Sequence, residues 1–360
     1  MLSGTFSLRR IVCSNTGSPL LRSAASPWTQ AGALCHLVIS APATRISGSS
    51  SATPTLGVRT ERQNFDNTLH DTLVGMGMNE IETFSFISPS WYDKIRLPAD
   101  DARRTCVVIS NPLGEDTSVM RTTTLPSMLK VLGDNYNVKN RDVKLFEMSK
   151  VYLPTEPDKL PGEPARLTLG MLTPENNAFY AMKGYIEAIL ALAGTEEPVF
   201  RACATEPTFH PGRCAEVYVG DVRIGVFGEA HPAVSAAYGI EGGVYLAELA
   251  TDALYDCRRT AIVYRQIPKH PAIERDFSFV ADEEVEAASV ASAIREASRL
   301  VASVSLFDIY RGPQIGAGRK SMSYAVMLRA ADRTLTDTEA DDAVAKILAV
   351  LEEKLGIRLR

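Results

Sequence analysis

The sequence has 360 residues, of which 45% are hydrophobic, and carries a formal net charge of -5 at pH 7. This length is enough for two globular domains, each with its own hydrophobic core. A strong excess of positive charge is typical of nucleic-acid-binding proteins, and this sequence does not have it. Any nucleic-acid binding must therefore depend on local positive patches and on shape. The most apolar stretch, residues 31–43, contains His36 and Ser40 and is too short to span a bilayer.

The cysteines show no pattern typical of a metal site or a disulfide framework. They form no CxxC pair, and no histidine lies at zinc-finger spacing from them. We therefore expect no structural zinc, reduced and mostly buried thiols, and an intracellular protein. The cysteines are Cys13, Cys35, Cys106, Cys203, Cys214 and Cys257.

The first sixty residues differ in composition from the rest. They contain five arginines, no lysine and no acidic residue, and the first acid is Glu61. This resembles an organellar transit peptide, but a disordered leader or a stretch of non-native coding sequence has the same composition. We expect no stable fold over residues 1–55. The expected localisation is cytoplasmic, or organellar if the leader is a transit peptide.

Hydrophobic periodicity predicts a first folded region, residues 56–262, of the α+β class with a largely antiparallel sheet. Strands outnumber helices and do not alternate regularly with them. The predicted helices cover residues 65–74, 125–137 and 179–193. The predicted strands cover residues 81–86, 105–110, 144–153, 215–219, 223–228 and 244–249.

Four ordered segments of this region carry a family resemblance: LVGMGMNEIETFSF (73–86), NPLGEDTSVMRTTTLPSML (111–129), VKLFEMSKVYLP (143–154) and HPGRCAEVYVGDVRIGVFGEAHP (210–232). They resemble the core of the β subunit of bacterial phenylalanyl-tRNA synthetase. The resemblance implies a class II synthetase-like, catalytically inactive core that serves as scaffold and subunit interface. It covers about residues 55–360 and only the C-terminal portion of such a subunit. The family's magnesium carboxylates lie upstream of that portion, so no metal site is carried over.

An active class II site needs two arginines that offset the charge of the ATP phosphates. The strand where the first should stand, residues 146–152, has none, and no GxGxxxR string follows. We therefore assign no catalytic residue to this chain.

Several residues invite a catalytic interpretation that we do not favour. His210 and Arg213 could form an acid–base group with Glu229 and His231. We favour instead turns set by the following prolines, in which the two histidines cap backbone groups.

For Arg121 and for the cysteines of the folded region we also favour structural roles over functional ones. Arg121 could hold a phosphate, but we expect it to pair with Glu115 or Asp116. The cysteines of the folded region have no readable activating partner, so we expect core packing rather than nucleophiles; they include Cys203, Cys214 and Cys257.

Residues 268–360 predict the order β-α-β-β-α-β, which is the ferredoxin-like pattern. Both helices then cover one face of the sheet and leave the other free. The predicted elements are strands 273–280, 301–310, 320–328 and 357–360, a helix over 285–299, and a helix from a capping box at Thr336–Glu339 to Gly356.

Strand alternation predicts which side chains occupy the free face. Phe307 and Ile309 should point to the core, so Asp308 and Tyr310 point to the free face. In the next strand the inward positions are Met322, Tyr324 and Val326, and the outward positions are Ser321 and Ser323. An aromatic ring, a carboxylate and a hydroxyl suit the binding of one unstacked base, although an exposed tyrosine is also ordinary surface.

This region resembles the ferredoxin-fold anticodon-binding domain that ends the same β subunit. The resemblance lies in IERDFSFVADEEV (273–285), in LFDIYRGPQIGAGRKSMSYAVMLRAADRTLTDTE (306–339) and in the terminal IRLR. It implies that Asp308 accepts hydrogen bonds from a guanine edge and that Tyr310 stacks on a base. Ser321 and Arg360 would bond neighbouring bases or backbone.

Phosphate contacts are expected from Arg275, Arg311, Arg319 and Lys320. Residues 268–360 contain 13 Lys and Arg against 15 Asp and Glu, so the affinity from charge alone should be weak.

The resemblance also implies partners. They are tRNA and a separate catalytic α subunit in an α2β2 assembly, with ATP and magnesium used by the whole enzyme and neither bound by this chain. No membrane partner is expected. Two alternatives remain open: a single-chain organellar phenylalanyl-tRNA synthetase, and a free-standing tRNA-binding fragment without activity.

Overall fold

The chain divides between residues 261 and 262 into two compact units. The structure, a computed structural model, describes residues 57–359 except 157–158, 176–177, 260–263 and 265. The predicted leader, residues 1–55, and the terminal Arg360 lie outside these described residues. Each unit has its own hydrophobic core, as the length of the chain predicts.

A seven-stranded sheet forms the centre of the first unit. Its spatial order is β1-β4-β5-β9-β8-β7-β6, and every neighbouring pair except β1–β4 is antiparallel, which confirms the predicted class. A separate pair joins β2 to β3. The strands are β1 Asn79–Glu80, β2 Phe86–Ile87, β3 Val119–Met120, β4 Val143–Lys150, β5 Ala165–Leu172, β6 Pro198–Ala202, β7 Phe209–Val219, β8 Val222–Ala230 and β9 Val244–Ala250.

Helices cover both faces of this sheet and create two cores. One core contains Leu129 and Leu145, and the other contains Ile186 and Phe146, because successive strand residues point to opposite faces. Within the described residues no helix is long and apolar enough to cross a membrane. The helices are α1 Glu61–Gly75, α2 Ser90–Lys94, α3 Leu125–Asn137, α4 Ala178–Ala193, α5 Pro232–Ala237 and α6 Thr251–Asp256, with single 3-10 turns at Ala102–Arg104 and Glu115–Thr117.

The predicted strand over residues 81–86 is wrong for most of its length. Of these residues only Phe86 lies in a strand, the two-residue β2, and β1 ends at Glu80; Phe84 is 69% exposed. The Thr83 N–H donates its hydrogen bond to the Glu147 carboxylate at 3.3 Å and not to the carbonyl of a neighbouring strand. A buried side chain thus replaces the ladder partner that a continuous strand needs.

Other strand predictions also differ from the structure. Residues 105–110 contribute a single bridge, Val108 to Val119, instead of a strand. Strands β5 and β6 were not predicted. Residues 167–172 of β5 are all buried, so the segment lacks the alternation that marks a half-buried strand.

The second unit has the predicted ferredoxin-like order. Its four-stranded antiparallel sheet runs β11-β12-β10-β13. Phe279 and Tyr324 of the sheet share one core with Val290 and Ile347 of the helices, so both helices lie on the same face. The elements are β10 Ile273–Asp282, α7 Ala287–Ala297, β11 Val301–Tyr310, β12 Arg319–Leu328, α8 Asp337–Leu355 and β13 Arg358–Leu359.

The last helix begins and ends as its sequence predicts. The Thr336 side chain accepts from the Glu339 N–H, and the Glu339 carboxylate accepts from the Thr336 N–H, which confirms the capping box. Gly356 adopts a left-handed conformation with φ 63° at the C-terminus, where a side chain would be strained.

Replacement of Thr336 by alanine should lower the free energy of unfolding of the second unit by about 1 kcal/mol, because one amide of the α8 N-terminus loses its acceptor. Urea denaturation followed by circular dichroism measures this. Thr338→Ala, on the exposed side of the same turn, is the matched control and should have little effect. Equal losses in the two variants would contradict the capping account.

Candidate nucleic-acid interface

The register of the second sheet brings three of the four predicted anticodon residues together, and the fourth, Arg360, lies outside the described residues. Tyr310 lies opposite Ser321, and Asp308 lies opposite Ser323, in the β11–β12 pair. Directly opposite residues of an antiparallel pair point to the same face. That face is the one without helices, because the intervening residues Ile309 and Met322 pack into the core.

A β-bulge in β11 corrects one prediction. Leu306 lies opposite Tyr324 and Asp308 opposite Ser323, so Phe307 is the extra residue between them. Phe307 was expected in the core but is 59% exposed. Ile309 is confirmed as a core-facing residue, because the strand resumes its normal alternation after the bulge.

The two serines lie on the predicted face but are not open to solvent. Ser321 is 2% exposed and Ser323 is 7% exposed. Both are short side chains in β12, which has a neighbouring strand on each side, so longer neighbours shield them. Ser323 also shares a hydrogen bond of 2.9 Å with the Ser278 hydroxyl of β10.

The larger groups of the site, Tyr310 and Asp308, remain accessible. The Tyr310 side chain is 39% exposed, and its ring lies against Gly312: a Cβ added there would come within 2.2 Å of the Tyr310 hydroxyl. Asp308 is exposed, and within the described residues its carboxylate has no hydrogen bond or ion pair. The site therefore offers one aromatic face and one uncommitted acceptor.

The predicted phosphate contacts are already engaged within the unit. Arg311 pairs with Glu283 at 2.7 Å, and this guanidinium holds the pKa of the Glu283 carboxyl below its usual range. Arg319 lies 3.2 Å from Asp282. Exposed pairs of this kind are weak, so RNA phosphates could compete for both arginines.

The other two predicted phosphate contacts differ from each other. Arg275 lies 3.9 Å from Asp341, a long and weak pairing. Lys320 is 8% exposed, and its ammonium donates to the Glu283 carbonyl at 2.7 Å. Lys320 therefore has no open path to a phosphate in this structure.

In the first unit, the expected partner of Arg121 is wrong. The Arg121 side chain is 1% exposed and donates to Glu147 at 3.1 Å, to the Thr83 hydroxyl at 2.7 Å and to the Lys150 carbonyl at 3.0 Å. Sequence proximity had suggested Glu115 or Asp116, which lie in an exposed turn. All three guanidinium nitrogens donate within the unit and the side chain is buried, so it is not open to a phosphate.

A second carboxylate of this sheet, which is half-buried, was not recognised in the sequence. Glu248 of β9 accepts from the Thr123 hydroxyl at 2.8 Å and from the Thr124 N–H at 2.7 Å. It therefore caps the start of α3, which has no cap of its own. Glu147, Thr168 and Glu248 stand opposite one another on adjacent strands and form a polar row across the sheet.

This row changes the electrostatics of the sheet. The strand on which the resemblance places a phosphate-binding arginine carries the buried carboxylate of Glu147 instead. Glu147 is paired with Arg121, so this strand supplies no net positive charge, whereas an active class II core holds the triphosphate by such charge.

His210 and His231 cap backbone groups, as predicted. The His210 ring accepts from the Gly212 N–H, and the His231 ring accepts from the Ala233 N–H, each at 3.1 Å. Arg213 pairs with Glu229 at 2.6 Å. The His210 contact lies in an irregular part of β7 and the His231 contact at the N-terminus of α5, so the capping is confirmed but the predicted turns are not.

The cysteines and metal-ligating residues give no catalytic arrangement. Cys203 and Cys214 are free and buried, and burial raises the pKa of the Cys214 thiol; Cys257 packs against the edge of a core. Among the described residues, no group of three or more His, Cys, Asp or Glu side chains could hold a metal ion.

Comparison with known families agrees with both units. The profile described as "Phenylalanyl tRNA synthetase beta chain CLM domain" matches residues 48–251. The chain belongs to the phenylalanyl-tRNA synthetase beta-chain family. The profile of the ferredoxin-fold anticodon binding domain matches residues 268–360, the region of the four-stranded sheet.

Curated relatives carry the same family name. Phenylalanine–tRNA ligase beta subunits from Clostridium tetani, Clostridium acetobutylicum and Symbiobacterium thermophilum are 39%, 38% and 40% identical to this chain. The alignments cover 84%, 83% and 80% of the chain but 38%, 38% and 33% of the relatives. The chain thus spans little more than a third of the length of these relatives.

The buried pair of the first unit gives a stability prediction. Arg121→Met should lower the free energy of unfolding by about 3–5 kcal/mol, because Glu147 is left as an uncompensated buried charge. The double variant Arg121→Met with Glu147→Met should recover most of this loss. Urea denaturation followed by circular dichroism provides the measurement.

The control is Arg223→Met, which removes a partly exposed pair with Glu216 and should change stability by less than about 1 kcal/mol. If the double variant loses as much stability as the two single variants lose together, Arg121 and Glu147 are not coupled.

Proposed function

We propose that this chain is a tRNA-binding, non-catalytic β-type component of phenylalanine–tRNA ligase, and that residues 268–360 form the anticodon-binding domain. The observation that carries the proposal is the register that sets Asp308 and Tyr310 side by side on the helix-free face. An accessible ring next to an uncommitted carboxylate is an arrangement that suits an unstacked base.

Recognition would divide between these two groups. The Tyr310 ring offers a stacking face, which contributes about 1–3 kcal/mol per base. The Asp308 carboxylate accepts hydrogen bonds from the Watson–Crick edge of guanine, which carries N–H donors. Ser321 needs its neighbours to shift before its hydroxyl meets RNA, and Arg360 completes the proposed set at the chain terminus.

The first unit, residues 56–262 in this proposal, would act as scaffold and subunit interface. Arg121 is held by the Glu147 carboxylate, and the Glu248 carboxylate opposes phosphate binding on that face of the sheet. Adenylate formation with ATP and magnesium would then occur on a separate catalytic α subunit, in an α2β2 assembly in the cytoplasm. This chain would bind neither ATP nor magnesium itself.

Removal of the stacking ring tests the anticodon site. Tyr310→Ala should weaken binding of tRNA with a phenylalanine anticodon by about 5- to 150-fold, which corresponds to the loss of one stacked base. Tyr310→Phe should bind nearly as well as the parent, since it keeps the ring. Filter binding at fixed salt gives the dissociation constants.

Tyr180→Ala removes an exposed tyrosine from α4 in the first unit and serves as the control. If Tyr310→Ala binds tRNA as tightly as Tyr180→Ala does, the proposed anticodon face is incorrect.

The contact between Tyr310 and Gly312 gives an independent prediction. Gly312→Ala should weaken tRNA binding at least several-fold, because the new methyl group displaces the Tyr310 ring from its position. Gly184→Ala, where an added Cβ meets no atom within 4 Å, is the matched control. Unchanged affinity in both variants would show that the position of the ring does not matter for binding.

A further inference from the structure

A basic cleft opens at the end of the second unit's sheet that is remote from Tyr310. It lies where β10 and β11 begin and β12 ends, since Ile273 and Val301 both stand opposite Leu328. Its volume is about 660 Å³, within the range of small-molecule pockets. Its lining includes Lys269 and His270 before β10.

The cleft is rich in cations that have no partner. Lys269, Arg299 and Arg329 line it, and within the described residues none of their side chains has a hydrogen bond or ion pair. The Arg329 Nε is buried and unsatisfied. Among the described residues of the lining the one acid is Asp332, which lies 3.2 Å from Arg333, so these residues keep an excess of positive charge.

This concentration of cations runs against the charge of the surrounding sequence, in which acids outnumber bases between residues 268 and 360. A buried guanidinium N–H without an acceptor costs free energy, which an incoming oxyanion would recover. Arginine forks match phosphate oxygens in two parallel hydrogen bonds. Apart from the polar groups, the lining residues that the structure describes have short aliphatic side chains, and none is a Phe, Tyr or Trp that could stack a base.

We propose that this cleft binds a backbone phosphate of the same tRNA, outside the anticodon itself. This rests on the proposed tRNA-binding function. Ala302 of the lining and Tyr310 stand eight residues apart on β11, about 25 Å along the strand. Three stacked nucleotides cover only about 10 Å, so an RNA that reaches both places must extend beyond the anticodon bases.

The test measures tRNA affinity of the full chain over a range of KCl concentrations. Lys269→Gln and Arg299→Gln should each weaken binding about fivefold to tenfold at low salt. Each should also reduce the slope of log affinity against log salt by about 1, because one phosphate contact is lost. Lys346→Gln, an exposed lysine on α8 without a partner among the described residues, is the matched control and should change neither quantity.

Tyr310→Ala in the same assay separates the two proposals. If it weakens binding while the cleft variants match Lys346→Gln, the cleft proposal is wrong and the anticodon face stands. If the cleft variants lower affinity and slope but Tyr310→Ala does not, the cleft is supported and the anticodon assignment fails. Inorganic pyrophosphate is a second probe of the cleft. If the cleft variants lose affinity for pyrophosphate but bind tRNA as tightly as the parent chain, the cleft proposal is also wrong. Thermal melting of each variant confirms that it is folded.

Discussion

The β-bulge at Phe307 decides which side chains of β11 lie on the helix-free face of the second sheet. Without it, Leu306 and Asp308 would share a face, and the alternation that places Val304 and Leu306 toward the helices would also turn Asp308 inward. The extra residue reverses the face to which each later side chain of β11 points. Ile309 then packs into the core, and Asp308 and Tyr310 stand beside the serines of β12. The proposed recognition of a base depends on this single shift.

The sheet of the first unit carries a row of polar side chains that residues of the same unit hold in place. Its polar row consists of carboxylates held by hydroxyls, by an amide and by one buried arginine. Each charge is satisfied internally, so the row contributes to the structure of the sheet and to the start of α3. Because its arginine is paired with Glu147, the row supplies no net positive charge of the kind that ATP phosphates need.

Local patterns predicted the elements whose signals are local. Helix α3 has the predicted bounds, and the capping box of α8 fixes its start, because helical periodicity and caps are properties of adjacent residues. The partner of Arg121 could not be found in this way, since Glu147 lies 26 positions further along the chain. Strand β5 is buried on both faces and so carries no alternation.

In the second unit, too, local patterns predicted some features and missed those that depend on distant parts of the chain. Alternation alone identified Asp308 and Tyr310 as occupants of the free face, but it placed Phe307 in the core, because a bulge has no signature in the sequence of one strand. The burial of Ser321 depends on longer side chains from two neighbouring strands, and the cleft at Arg329 depends on three segments that meet only in the fold.

The central claim is that this chain supports aminoacylation of tRNA without performing the chemistry. Co-expression with a catalytic α subunit from the same source, followed by phenylalanine charging of tRNA, tests it most directly. The account predicts that the two chains purify together and that charging requires both. Phenylalanyl-adenylate formation or charging by this chain alone would contradict it.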